Sequence, residues 1–334
     1  MTIEIERPPV GTISNGVMFA GDGFLFPQER QRLRERMTSV EPEFFDFAAK
    51  RIQERHDRAS SLGAQYLAAS LPGRAYMMRD IYPIKAPPPL FTHERFGEIG
   101  ILNLSPWYEP DGVRNFWRTD FHHGPLGNVN AAIGIAENSG LLTEGEVSYI
   151  KKLLPGLVRP TGKTYVGELG MRLTPHIGEP EYDFNRVTAA AEVAYDGPPE
   201  RKHKHPQEGD MVVAETPDAL VNATVVVFGT SMVNGLIPPL GHIFSRVIWA
   251  RTWQVMYWDI VEVAKANLVV SLYSATRLQD IFSHDDADAP AFMDIPNFTG
   301  RRLTLRGKFP DVFSRGLPGI MATRNTGKVP GQSW

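Results

Sequence analysis

The chain contains no cysteine. Disulfides, thiolate metal sites and cysteine nucleophiles are therefore excluded together. Nor is there an excess of charge of either sign. The 35 Lys and Arg residues stand against 38 Asp and Glu, for a net charge of -3. No long basic cluster interrupts that balance, so there is no electrostatic footprint for nucleic acid. The densest basic run, Glu200 to His205, is short, is followed by Glu208 and Asp210, and reads as a solvated loop. Long hydrophobic runs are missing as well. The strongest, Val225 to Phe228 with its neighbours, is far too short to cross a bilayer. The first residues, Met1 to Pro9, carry acidic groups and no apolar h-region, which is not a signal-peptide pattern. The expectation drawn from them is a cytoplasmic protein. There is no internal repeat and no low-complexity tract.

What is present is an ordinary globular composition, 42% hydrophobic and 22% charged over 334 residues. That is enough to bury a sizeable core, in one large domain or two smaller ones. Residues 1–14 read as an irregular lead-in, and Gly16 to Phe26 as two short strands around an Asp22-Gly23 turn. Apolar spacing among many charges predicts helix from Gln28 to Met37 and from Phe44 to Ala69. Ala75 to Met78 fits a brief strand between prolines. Gly127 to Glu137, rich in Ala and Ile, suits a buried helix, and Thr143 with Glu146 makes a capping box ahead of another. Residues 155–220 read as loops and short strands.

The C-terminal half is more regular. Ala223 to Phe228, Val247 to Trp249 and Asn267 to Tyr273 predict strands; Leu236 to Phe244 and Asp259 to Ala266 predict helices between them. That alternation argues for a parallel sheet with helices on its faces. Arg302 to Arg306 is a candidate edge strand.

Two segments carry chemistry. In an open parallel sheet, sites form beyond the carboxyl ends of the strands, where Ser231 falls if Ala223 to Phe228 is central. The turn Phe228-Gly229-Thr230-Ser231-Met232 offers a hydroxyl, and its amides, with Asn234, are candidates for stabilising an oxyanion. The alternative for Ser231 is a helix cap. The second segment is Trp117-Arg118-Thr119-Asp120-Phe121-His122-His123-Gly124. Asp120 and His122, two residues apart, suit a base and its orienting carboxylate, with His123 left to packing or substrate contact. The alternatives are a structural histidine or a metal site using Asp120, His122 and His123, although local spacing marks no further ligand. His203, His205 and the His284 to Asp288 cluster have ligand types in loops. Trp107, Tyr108 and Trp117 are candidate platforms for a sugar or a flat acceptor.

These motifs resemble, in order, those of the SGNH-like alginate O-acetyltransferase family. Gly21-Asp22-Gly23-Phe24-Leu25-Phe26 is similar to its early Gly-x-Asp-Gly-Trp-Leu-Phe segment, and Arg118 to Gly127 to its Thr-Asp-Thr-His-Trp-Asn-x-x-Gly motif. Gly229-Thr230-Ser231 takes the place of Gly-Asp-Ser, and Asn267 to Leu278 resembles the late strand ending in a Glu-Arg-like pair. Thr230 replaces an aspartate, His123 a tryptophan and Thr276 a glutamate, while Arg277 is kept as a substrate-binding candidate.

The resemblance implies an α/β, three-layer SGNH hydrolase-like domain with a parallel central sheet over residues 15–290. A lead-in (1–14) and a C-terminal extension (291–334) would pack on it. It implies an O-acyltransferase with Ser231 as nucleophile, His122 as base and Asp120 as triad acid. Met232, Asn234, Thr230, His123 and Arg277 would serve the oxyanion or substrate. The expected partners are a sugar or small-molecule acceptor and an ester or thioester donor, acyl-CoA or a carrier protein among them, with no bound cofactor or metal. An esterase and a degenerate binding protein are the alternatives, and oligomeric state is left open.

Overall fold

The computed structural model describes residues 8–28, 42–82, 93–108, 113–184, 189–194, 211–252, 255–274 and 304–306. Arg277, His203, His205, His284 and all but the first residue of the expected helix from Gln28 to Met37 lie outside the described residues, as does nearly all of 291–334.

The chain begins with a small antiparallel sheet, β1 (Ile13–Ser14), β2 (Val17–Phe19) and β3 (Leu25–Pro27). The long helix α1 (Pro42–Ser61) leads to β4 (Gln65–Leu71), the short helices α2 (Arg74–Met77) and α3 (His93–Glu98), and β5 (Ile101–Asn103). Helices α4 (Pro125–Glu137) and α5 (Glu144–Leu153) follow, then a hairpin of β6 (Val158–Tyr165) and β7 (Glu179–Phe184) with α6 (Glu168–Met171) between its strands. Next come β8 (Ala189–Ala194), β9 (Met211–Glu215), β10 (Val221–Gly229), α7 (Ile237–Ile243), β11 (Phe244–Arg251), α8 (Trp258–Ala264), β12 (Leu268–Ser274) and β13 (Thr304–Arg306).

The main sheet runs β13-β8-β9-β11-β10-β12-β4-β5. Its centre, β11-β10-β12-β4-β5, is parallel, and β9, β8 and β13 add antiparallel strands beyond β11. The sheet is thus mixed and mostly parallel rather than wholly parallel as expected. The reason is connection length. Only residues 216–220 join β9 to β10, and a parallel return needs a crossover of about a dozen residues or more.

Along β10 successive side chains divide the core. Val225 and Val227 pack with α4 and α7, while Val226 and Phe228 pack on the opposite face with α8 and the end of α1. That makes three layers, helix on sheet on helix.

Two expectations are corrected. Helix does not continue to Ala69: Gly63, at φ +75°, follows the end of α1, and residues 65–71 form β4, parallel to both β12 and β5. Residues 75–78 are not a strand either. Gly73 caps α2, receiving the N–H groups of Tyr76 and Met77 at 2.9 and 3.1 Å. Elsewhere the capping box is present, with the Glu146 N–H donating to Thr143 Oγ1 at 3.3 Å and the Thr143 N–H to Glu146 Oε2 at 2.7 Å. Among the described residues, no helix is long and apolar enough to cross a membrane.

Candidate active site

Strand β10 lies between β11 and β12, although β11 follows it directly and β12 comes next. The chain therefore leaves on one side of β10 and crosses back to the other. Such a reversal opens a crevice at the carboxyl ends of the strands. Gly229 ends β10 there. A Cβ at this position would lie 2.6 Å from Val233 Cγ2 and 2.8 Å from the Leu272 carbonyl, so only a bare backbone allows the following turn to fold so tightly.

Thr230 is extended (φ -78°, ψ -170°) and starts a 3-10 turn over Ser231–Leu236. The cap position belongs to Thr230, whose side chain makes no capping bond. The Ser231 hydroxyl is instead 3.2 Å from His122 Nε2. The first hydrogen bond of the turn runs from the Val233 N–H to the Thr230 carbonyl, at 3.0 Å. The amides of Ser231 and Met232 precede it, at the end where helical N–H groups lack intrahelical acceptors.

His122 comes from the loop before α4. That loop is closed at its base by a bridge between Phe116 and His123 and by the Gly124 N–H donating to the Asn115 carbonyl at 2.8 Å. Helix α4 is buried nearly all round, and an added Cβ on Gly127 would strike the Asn115 carbonyl, so the loop sits close on the first turn. Within the loop, Asp120 Oδ1 accepts from the His122 backbone N–H at 3.0 Å and stands 2.7 Å from its Nδ1. The first contact makes an Asx turn, which folds the imidazole back over its own carboxylate. An ionised carboxylate can only accept, so Nδ1 carries the proton and Nε2 presents a lone pair to the Ser231 hydroxyl.

The other oxygen of Asp120 is also held. Oδ2 accepts from the Tyr165 hydroxyl at 2.6 Å and the Glu168 N–H at 3.1 Å. Burial works to raise the Asp120 pKa. The hydrogen bonds from His122 and Tyr165 outweigh it and hold the carboxyl well below the usual carboxylate range. Tyr165 moves the opposite way, pushed far above the usual phenol range by burial and by its bond to Asp120.

Further contacts fix the backbone of this segment. Glu179 accepts from the N–H groups of Arg118 and Thr119 at 2.9 and 2.7 Å and from the Thr119 hydroxyl at 2.8 Å. Arg74, buried over the rings of Phe24 and Phe26, donates to the carbonyls of Asp120 and Arg118. The Leu25 N–H donates to the Arg118 carbonyl at 2.9 Å, so the early Gly21 to Phe26 segment braces the one that carries Asp120.

The remaining expected site residues scatter. Met232 packs partly buried against the core, and Asn234 is exposed. Thr230 lines a cavity of about 20 Å³ with Arg55, Ser271, Tyr273 and Phe228, enough for one water molecule. His123 does not face the site. It is 5% exposed, with Nδ1 2.8 Å from the Tyr108 hydroxyl and Nε2 3.3 Å from the Pro72 carbonyl, and its ring meets Phe116 edge-on. Substrate contact is thereby corrected to packing, and Tyr108, buried beside it, is no platform. Trp107 packs on α4 and donates to Glu137 at 2.6 Å. Trp117 is half-buried and lies against Tyr165, with ring centroids 4.3 Å apart. Among the described residues no three His, Asp or Glu side chains converge as a metal site.

No motif in the sequence marks Arg74, Tyr165, Glu168 or Glu179. One signal was available. A Cβ on Gly167 would lie 2.5 Å from the Thr119 carbonyl, and one on Gly170 would meet Thr119 Cβ at 3.1 Å, so the Gly167-x-x-Gly170 pair marks a close approach.

No family model and no curated protein matches the sequence. Solved structures do match by shape. PatB1 from Bacillus cereus aligns with a TM-score of 0.57 at 14% identity, over 80% of this chain and 99% of that one. The same protein with a sulfonyl adduct aligns at 0.56 and 12% identity, over 80% and 97%. A DHHW family protein from Eubacterium siraeum aligns at 0.53 and 13% identity, over 89% and 100%. At these identities what is shared is the fold: an α/β domain with a mixed central sheet between helical layers. The cytoplasmic location expected from the N-terminus is corrected here: the likeness to PatB1 and to the DHHW family protein counts against it. An acidic first stretch is no guide to compartment here.

Proposed function

We propose that the chain is a serine-dependent O-acyltransferase acting through an acyl-Ser231 intermediate. The observation that carries this reading is the position of His122, 2.7 Å from Asp120 by one ring nitrogen and 3.2 Å from Ser231 by the other. In the first step the Ser231 oxygen attacks the carbonyl of an ester or thioester while its proton passes to His122 Nε2. The carbonyl electrons move onto oxygen, and the amides of Ser231 and Met232 receive the charge. Collapse expels the alcohol or thiol, protonated by His122. A hydroxyl of a sugar or small-molecule acceptor then gives its proton to His122 and attacks the acyl-serine; the bond from the acyl carbon to the Ser231 oxygen breaks, His122 returns the proton to that oxygen, and the new ester leaves. Asp120 keeps Nδ1–H in place and offsets the imidazolium charge. The sulfonyl adduct of PatB1 adds support from a protein of the same fold.

An esterase is the second reading. Its support is the 30% exposure of the His122 side chain, which leaves water a path to the acyl-serine. The test is intact mass after incubation with an activated acetyl ester, with Ser231→Ala as control. A single acetyl adduct absent from the variant is expected. Adduct in both proteins, or in neither while folded, overturns the reading. Competition between water and added sugar for the adduct then separates transferase from esterase.

A further inference from the structure

We propose that Tyr165 is a positioning residue of this site, holding the Asp120 carboxylate in the orientation that His122 requires. The inference rests on the acyl-transfer reading of Asp120, His122 and Ser231. Asp120 splits its acceptors by function. Oδ1 takes both contacts from His122, whereas Oδ2 takes the Tyr165 hydroxyl at 2.6 Å and the Glu168 N–H at 3.1 Å. A carboxylate bonded through one oxygen alone can rotate about its Cβ–Cγ bond. Bonded through both, it is fixed, and so is the direction of the lone pair that meets Nδ1. The tyrosine supplies the shorter of the two bonds to Oδ2.

The position of Tyr165 is itself determined. It is the last residue of β6 and pairs across the ladder with Glu179 of β7. Glu179 grips the N–H groups of residues 118 and 119, so adjacent positions at one end of a hairpin hold adjacent parts of the same loop. Trp117 lies against the Tyr165 ring at 4.3 Å and limits its swing. The hydroxyl points to Asp120 and not to the serine. Its removal therefore acts on the rate of chemistry and leaves donor binding alone.

The test is a double-mutant cycle on the acylation rate, read as p-nitrophenolate release from p-nitrophenyl acetate. Tyr165→Phe keeps the ring and its contact with Trp117 while deleting the donor. It is expected to slow acylation about tenfold at unchanged KM, in line with losing one hydrogen bond to a charged group. In an Asp120→Asn background the same change is expected to cost less than about twofold, because its route of action is already cut. A tenfold loss in both backgrounds, or none in either, overturns the inference. Tyr165→His, a smaller ring with a donor, is expected to lie between Phe and the wild type; a rate below Phe in protein of equal thermal stability also overturns it. Absence of Ser231 acylation in the wild type is a different failure, of the acyl-transfer reading itself, and removes this inference with it.

Discussion

Glu179 receives both the backbone N–H and the hydroxyl of Thr119 on one oxygen, at 2.7 and 2.8 Å, and the Arg118 N–H on the other. Thr119 is 1% exposed, so water offers its donors little substitute. Glu179→Ala is therefore expected to destabilise the protein by about 2 kcal/mol, the cost of leaving buried donors without acceptors. It should also slow acylation, because Asp120 is the next residue along. Urea unfolding at constant m-value checks the first effect. Unchanged stability would mean that the hairpin is not what holds this loop.

Variants at the proposed nucleophile and the proposed orienting carboxylate separate chemistry from folding. Ser231→Ala is expected to abolish acylation while leaving the fold intact, since its hydroxyl bonds to a part-exposed imidazole at 3.2 Å. Asp120→Asn should retain the contact geometry yet favour the wrong tautomer of His122, with a loss of about 10³ to 10⁴ in rate. Burst kinetics with p-nitrophenyl acetate reads both. Near-normal turnover in Asp120→Asn would remove Asp120 from the mechanism.

Asp120 also predicts a pH dependence of stability. Burial raises its pKa, but its hydrogen bonds lower it more, so the folded value lies below the unfolded one of about 3.9. A group of that kind adds stability above its unfolded pKa and loses it as pH falls toward the folded value. The difference in unfolding midpoint between the wild type and Asp120→Asn should shrink as the pH falls below about pH 4. A difference that widened on acidification would contradict the hydrogen-bonded, ionised state.

The turn after β10 gives a steric prediction. Gly229→Ala would place a methyl 2.6 Å from Val233 and 2.8 Å from the Leu272 carbonyl. The carbonyl is backbone of a central strand and has little room to move. A loss of about 1–3 kcal/mol is expected, together with slower acylation as Ser231 is displaced. Thermal unfolding and burst amplitude measure the two effects. A stable, fully active alanine variant would show that the turn has slack.

Much of the core was legible in the sequence, as were the residue types that make up the candidate site, for separate reasons. The strands around Val225, Ile248 and Val269 are short apolar runs bounded by polar or Gly-containing turns, so their state follows from local chemistry. Strand β4 was not legible, because Ala and Leu suit a helix equally well and its state is imposed by pairing with β12 and β5. The antiparallel strands depend on the short link from β9 to β10, whose effect appears only once the pairing is known. In the site, Asp120, His122 and Ser231 carry side-chain types with recognisable chemistry. Arg74 and Glu179 act largely on backbone groups, and Tyr165 lies far along the chain, so no spacing betrays them. For His123 the sequence leaves packing and substrate contact both open; the bridge from Phe116 to His123 turns it inward.

That contrast yields the last prediction, on the two neighbouring histidines. His122 is part-exposed and makes its polar contacts with Asp120 and Ser231, and its ring stacks on Phe121 at 4.2 Å. Replacing it with alanine leaves Asp120 bonded through Tyr165 and Glu168, so stability should fall by no more than about 1 kcal/mol while acylation is lost. His123 is buried, and its two nitrogens answer the Tyr108 hydroxyl and the Pro72 carbonyl. A carbonyl cannot donate, so Nε2 carries the proton and Nδ1 accepts from Tyr108. Alanine there leaves a cavity and two buried polar groups without partners, at about 3 kcal/mol. The acylation rate of the protein that remains folded should stay within a few-fold of wild type. Thermal melts and burst kinetics on both variants give a crossed pattern. The reverse pattern, with His122→Ala unstable and His123→Ala stable but inactive, would move the base from one histidine to the other.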